Sequence, residues 1–239
     1  MGARTLMRLN RISIERVWPV LDTEVLAFSE LRQDELYPSI RPNQIVSYIE
    51  GAVEFGRQAG KEYEYNGDLA PLMEHIVRSD TRVTFVDEPK KDGDKLIRAQ
   101  YIRKPATILV YRPSLEQMDH FFLRSGFHIR QEDLIALHVC HEWFHHLEDT
   151  RFGRTDDKLP KIVMRKVGPV MFKQPVESTR EIAAHAFTQQ VIGLSWYPLL
   201  LDLLIDYSER KVKKEQIRDS FNGLKQEFKR AVEADVTAV

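Results

Sequence analysis

The stretch Gln131-Glu132-Asp133-Leu134-Ile135-Ala136-Leu137-His138-Val139-Cys140-His141-Glu142-Trp143-Phe144-His145-His146 decides how this chain is read. No glycine or proline interrupts it before Asp149, and the apolar run Leu134 to Leu137 leads into its polar centre, so a helix over about 131–149 is expected. His141-Glu142-x-x-His145 is an HExxH pattern. On a helix, two histidines four residues apart project from one face about one turn apart. That spacing lets both imidazoles reach one tetrahedral zinc ion at roughly 2.0–2.1 Å. Glu142 falls on the adjacent side, where its carboxylate can take a proton from a water polarised by the ion. The pattern alone arises by chance in roughly one chain of this size in a hundred, so its helical setting carries the argument. Five of the eight histidines lie between His138 and His185, which concentrates imidazole in this one region.

A catalytic zinc needs a third protein ligand and an open fourth position. The extended pattern HExxHxxGxxH fails here, because Glu148 and Arg151 stand at its two added positions. A carboxylate from a second helix is the remaining source. Pro175-Val176-Glu177-Ser178-Thr179-Arg180-Glu181-Ile182-Ala183-Ala184-His185-Ala186-Phe187 offers it. Ser178 with Glu181 three residues on reads as a capping box that starts this helix. Glu177, one turn earlier, competes with Glu181 as the ligand but falls ahead of the cap. Ala183, Ala184 and Ala186 allow the helix to pack closely on the first.

HExxH followed some tens of residues later by a glutamate on an alanine-rich helix resembles the gluzincin metallopeptidases. Among these, the ImmA/IrrE group of bacterial regulatory metallopeptidases is similar in size. In that group a helix and a small sheet precede the HExxH helix, and the glutamate helix carries an E-x-x-A-x-x-F run, matched by Glu181, Ala184 and Phe187. The resemblance covers roughly residues 42–194. It implies a zincin-like fold, one zinc ion held by His141, His145 and Glu181, and Glu142 as catalytic base. It also implies a protein or peptide substrate, and a strand, Thr107 to Tyr111, that binds peptide along a sheet edge. The chain departs from the family where Trp143 and Phe144 replace Leu and Gly, and where His185 replaces Asp or Asn.

The rest of the chain fits an α+β domain, mostly helical, with a small antiparallel sheet of three strands before the HExxH helix. Pro42 to Gly60 reads as an amphipathic helix ended by Gly56 and Gly60, and Asp68 caps a short helix to Arg78. Alternation and β-branching mark strands at Thr81 to Val86, Leu96 to Arg103 and Thr107 to Arg112. Further helices are expected at Ser178 to Leu194, Pro198 to Tyr207 and Glu209 to Val232. The long connection Arg151 to Val176 reads as functional or mobile. Three regions follow: a helical region 1–78, a metallopeptidase core 79–195 and a helical extension 196–239.

Several neighbours have competing readings. His185, one turn after Glu181, is a catalytic candidate that would steady a ligand or the developing oxyanion. The plain alternative is a half-buried helix histidine. His138 shares the metal face and as a fourth ligand would close the site. His146 is expected at the surface, Cys140 as an inert buried thiol, and Tyr101, Tyr111 and His128 are weak electrophile candidates.

The 239 residues are 43% hydrophobic and 30% charged, with 35 basic against 36 acidic side chains. That balance argues against wholesale nucleic-acid binding. A single cysteine excludes an internal disulfide. The apolar run 191–205 is too short and too interrupted to span a bilayer. No membrane partner and a cytoplasmic setting are therefore expected, with contact through the last helix as a route to a homodimer. The rival to a zinc endopeptidase is a metal-binding sensor or interaction module without hydrolysis, its cleft closed by His138, Trp143, Phe144 or the 151–176 connection.

Overall fold

Periodicity and breakers along the chain resolve into nine helices and seven strands among residues 6–236, which the computed structural model describes. Near the amino terminus, α1 (Thr23–Leu31) precedes α2 (Pro42–Gly60) and α3 (Leu69–Arg78). Pro42 opens α2 at a position where its missing N–H costs nothing. The Asp68 carboxylate caps α3 by accepting from the Ala70 N–H at 3.0 Å, as the sequence suggests.

Strands β1 (Arg82–Val86), β2 (Lys91–Asp92), β3 (Lys95–Leu96), β4 (Ala99–Arg103) and β5 (Ala106–Tyr111) follow. The sheet of three strands exists, but it is not an antiparallel meander. Its order is β1-β5-β4, with β1 parallel to β5 and β4 antiparallel to it. The expected strand from Leu96 divides, since Lys95–Leu96 turns back on Lys91–Asp92 as a separate hairpin. Strand β5 is therefore central, with Ile108 and Val110 fully buried, and the edge faces belong to β1 and β4.

A helix absent from the sequence reading, α4 (Arg112–Arg124), returns the chain to α5 (Gln131–Leu147), the HExxH helix. A π-helical turn, Glu148–Phe152, ends α5 and leads to α6 (Thr155–Lys158). The long connection then forms a projecting hairpin of β6 (Ile162–Val167) and β7 (Val170–Gln174). The glutamate helix α7 (Ser178–Ile192) is followed by α8 (Leu199–Glu209) and α9 (Lys214–Val236). Gly193, at φ +74°, terminates α7 in the left-handed conformation that glycine adopts without strain.

One apolar core draws on all three sequence regions, from Leu9 through Trp143 and Phe187 to Phe221. Gly56 does not end α2. It lies inside the helix, where a Cβ would come within 2.1 Å of the Ala183 carbonyl oxygen, so its role is the close approach of α2 and α7. Asp133, at the start of α5, anchors the amino-terminal segment: its carboxylate accepts from the Leu9 N–H at 2.6 Å and the Tyr65 hydroxyl at 2.8 Å. No helix among the described residues is long and apolar enough to cross a membrane.

Candidate metal centre

Helices α5 and α7 bring three donors together. Nε2 of His141 lies 3.1 Å from one Glu181 oxygen, and Nε2 of His145 lies 3.3 Å from the other. Two ligands of a tetrahedral ion with bonds of about 2.1 Å stand roughly 3.4 Å apart, so the spacing and the donor set of two imidazoles and one carboxylate suit a metal ion. The three donor atoms all lie within 4.8 Å of one another. Glu181 is thus the carboxylate beside the histidines, and Glu177 is the N-cap residue of α7.

The capping box, however, is not formed. Ser178 is the first residue of α7, its N–H donates to Asp34 Oδ2 at 2.9 Å, and Glu181 turns to the histidines instead of back to the cap. A distant carboxylate has taken over the capping role, which frees Glu181.

His145 is oriented by a further contact. Nδ1 of His145 lies 3.2 Å from Glu148 Oε2, leaving Nε2 to face Glu181. Glu148 is fully enclosed: Oε1 accepts from the Thr155 N–H and hydroxyl at 2.8 and 2.6 Å, and Arg180 Nε donates to Oε2 at 2.9 Å. Sequence reading passed over Glu148 except as a mismatch to a different zinc pattern. Its place three residues after His145 was the available signal, because a carboxylate behind a ligand histidine fixes the tautomer and ring orientation.

The charges are strongly coupled. Burial alone would lower the His145 pKa, but Glu181 and Glu148 outweigh it and push it up to about 10. His141 is raised in the same way, against burial, by Glu181 and Glu142. Burial would raise the Glu181 carboxyl, yet the two histidines hold it well below the usual carboxylate range. Close by, burial and the neighbouring Glu181 charge push the Glu30 carboxyl up to about 7.

Glu142 faces the same cleft and accepts a hydrogen bond from the Tyr101 backbone N–H at 2.7 Å. The cleft, about 510 Å³, is lined by His141, Glu142, Glu181 and His185, with α8 and the β2–β3 hairpin on its walls. The His185 ring lies 4.6 Å from that of His141 and 5.5 Å from that of Tyr197, and its buried Nδ1 has no hydrogen-bond partner. Burial, and then the charge on His141, lowers its pKa well below the imidazole range, so it stays neutral. Arg98 also lines the cleft. Its Nε pairs with Asp202 at 2.6 Å while its buried Nη1 is unpartnered, a donor that sequence reading did not single out.

The remaining candidates stand outside the donor cluster. His138 lines the cleft, but its Nε2 contacts Met118 Sδ at 3.1 Å and it is not one of the three clustered donors. Trp143 and Phe144 point into the core, Trp143 against Tyr63 and Phe144 against Phe187 at 4.6 and 5.1 Å between centroids, so neither plugs the cleft. His146 is buried, not at the surface: its ring nitrogens meet the Tyr101 hydroxyl at 3.1 Å and the Ser79 carbonyl at 2.7 Å. That contact occupies the Tyr101 hydroxyl. Neither Tyr111, buried at the N-terminus of α4, nor His128, beside the Met7–Ile129 bridge, lines the cleft. Cys140 is buried, and burial pushes its thiol pKa up, as an inert thiol requires. Comparison of the chain with protein-family models, curated proteins and solved structures found no match.

Proposed function

We propose that the protein is a zinc-dependent endopeptidase of zincin-like, gluzincin type that hydrolyses a peptide bond in a protein substrate. The observation that carries this reading is the Glu142 carboxylate standing in an open cleft beside the His141–His145–Glu181 donor cluster. A zinc ion held by those three side chains supplies Lewis acidity for the scissile carbonyl and the attacking water.

The chain's own residues account for the rest. Glu142 takes the proton of the attacking water on its carboxylate and returns it to the leaving amide nitrogen. Neutral His185 and Arg98, which both line the cleft, are the side chains that donate to the oxygen that gains charge. The peptide-binding edge moves from β5, which is central, to β4. Because Tyr111 donates to the Arg98 carbonyl, alternation along the antiparallel pair turns Ala99, Tyr101 and Arg103 away from β5. Their backbone groups lie on the side of Glu142, which already accepts from the Tyr101 N–H, and an extended peptide adds as a strand through the groups this bond leaves free.

Zinc-loaded protein is expected to cleave a quenched fluorescent peptide library, and Glu142→Gln to abolish cleavage while retaining zinc. Wild-type rates that match those of Glu142→Gln would overturn the reading.

A further inference from the structure

The β6–β7 hairpin has no part in the cleft chemistry, and its composition is unusual. Twelve large apolar side chains stand exposed among the described residues, and six of them belong to this hairpin: Val163, Met164, Val167, Val170, Met171 and Phe172, each 46–55% exposed. Residues 161–174 also carry four cations and no acid. Lys161 pairs with Asp157, whereas Arg165, Lys166 and Lys173 have no carboxylate partner among the described residues.

Register decides what can cover these side chains. Val167 pairs with Val170 and Arg165 with Phe172, so these four share one face; Lys166 and Met171 occupy the other. Apolar side chains thus emerge on both faces of a two-stranded ribbon. A protein partner or a second copy packs against one face, but a lipid interface surrounds the tip and covers both. The tip, Val167-Gly168-Pro169-Val170, is uncharged, and the Arg165 level lies two residues below it, about 7 Å at the rise of a strand. Interfacial elements sink about 5–10 Å to the headgroup boundary, which puts the cations at the height of lipid phosphates.

We propose that the β6–β7 hairpin docks the protein peripherally on an anionic lipid surface, its apolar tip inserted and Arg165, Lys166 and Lys173 on the headgroups. This revises the expectation of no membrane partner, which considered only spanning helices. It does not depend on peptide hydrolysis.

Flotation of the full chain with phosphatidylcholine vesicles, with and without phosphatidylglycerol, tests the proposal. The chain is expected to float with the anionic vesicles and not with the neutral ones. Met171→Ser with Phe172→Ser removes this binding, and Arg165→Gln with Lys166→Gln weakens partitioning roughly thirtyfold, about fivefold per basic residue. These side chains are exposed, and circular dichroism confirms that the variants remain folded. Three results overturn the proposal: no flotation with anionic vesicles, flotation that survives the Met171/Phe172 change, or binding of duplex DNA in place of vesicles. A dimer that dissociates on that change without vesicle binding makes the hairpin an interface between copies and overturns it as well.

Discussion

Glu148 shows how one side chain sets the geometry of a whole centre. It receives Thr155 and Arg180 on its oxygens and faces His145 Nδ1, so it fixes which nitrogen of that ring is left for a metal. Glu148→Ala is expected to weaken zinc binding about 10–100-fold, as measured by competition with a chelating dye. Unchanged affinity would contradict that role. Burial opposes a charged His145 in the metal-free protein, but Glu181 and Glu148 prevail and raise its pKa to about 10; His141 is raised too. Both imidazoles must be neutral to bind zinc, so uptake near neutral pH releases protons and affinity rises with pH. The heat of zinc binding is therefore expected to vary with the ionisation enthalpy of the buffer, and a buffer-independent heat would contradict the proton release. In the metal-free protein the raised pKa adds stability that is fully present below the unfolded imidazole range and is lost as pH rises through about 10.

Helices α2, α5 and α7 form the frame that holds those side chains. Gly56 permits the close approach of α2 and α7, with the Ala183 carbonyl 2.1 Å from where its Cβ would lie. Gly56→Ala is expected to cost about 1–3 kcal/mol of stability by overpacking, read from chemical denaturation. A neutral or stabilising change would contradict the packing role. The helices that carry His141, His145 and Glu181 were legible in the sequence, because HExxH spacing and apolar lead-in are local features. The topology of the sheet was not. Strand β1 reaches β5 in parallel across an intervening hairpin and β4, and no local pattern encodes that pairing. Helix α4 was legible in principle, with Pro113 in its first turn and Leu115, Met118 and Phe122 at helical spacing, but it follows β5 without a break. The capping box was a local motif that tertiary contact overrode: Asp34 supplied the cap and Glu181 went to the histidines. His146 read as a surface residue because its partners, Ser79 and Tyr101, lie far away in the chain.

Across the whole molecule, charge is balanced in total and uneven in place. The 35 basic and 36 acidic side chains nearly cancel, yet eight carboxylates and two cations line the cleft, and one of those cations, Arg98, is paired with Asp202. A peptidase with this cleft is expected to prefer peptides rich in lysine and arginine, with a preference that shrinks as salt rises. Matched basic and acidic peptide series compared by kcat/KM at low and high ionic strength test this, and equal rates would contradict it. The basic hairpin opposes the acidic cleft in sign, so recognition of substrate and of a surface can be separated by mutation.

His141, His145 and Glu181 form a cluster between α5 and α7 that could hold one metal ion. Metal stoichiometry by mass spectrometry on untagged protein tests it most directly, with His145→Ala and Glu181→Ala alongside. One zinc per chain is expected in the wild type, with a clear loss in both variants. Wild-type protein that takes up no zinc when supplied with it, or variants that keep it in full, would rule out a zinc site at these three residues.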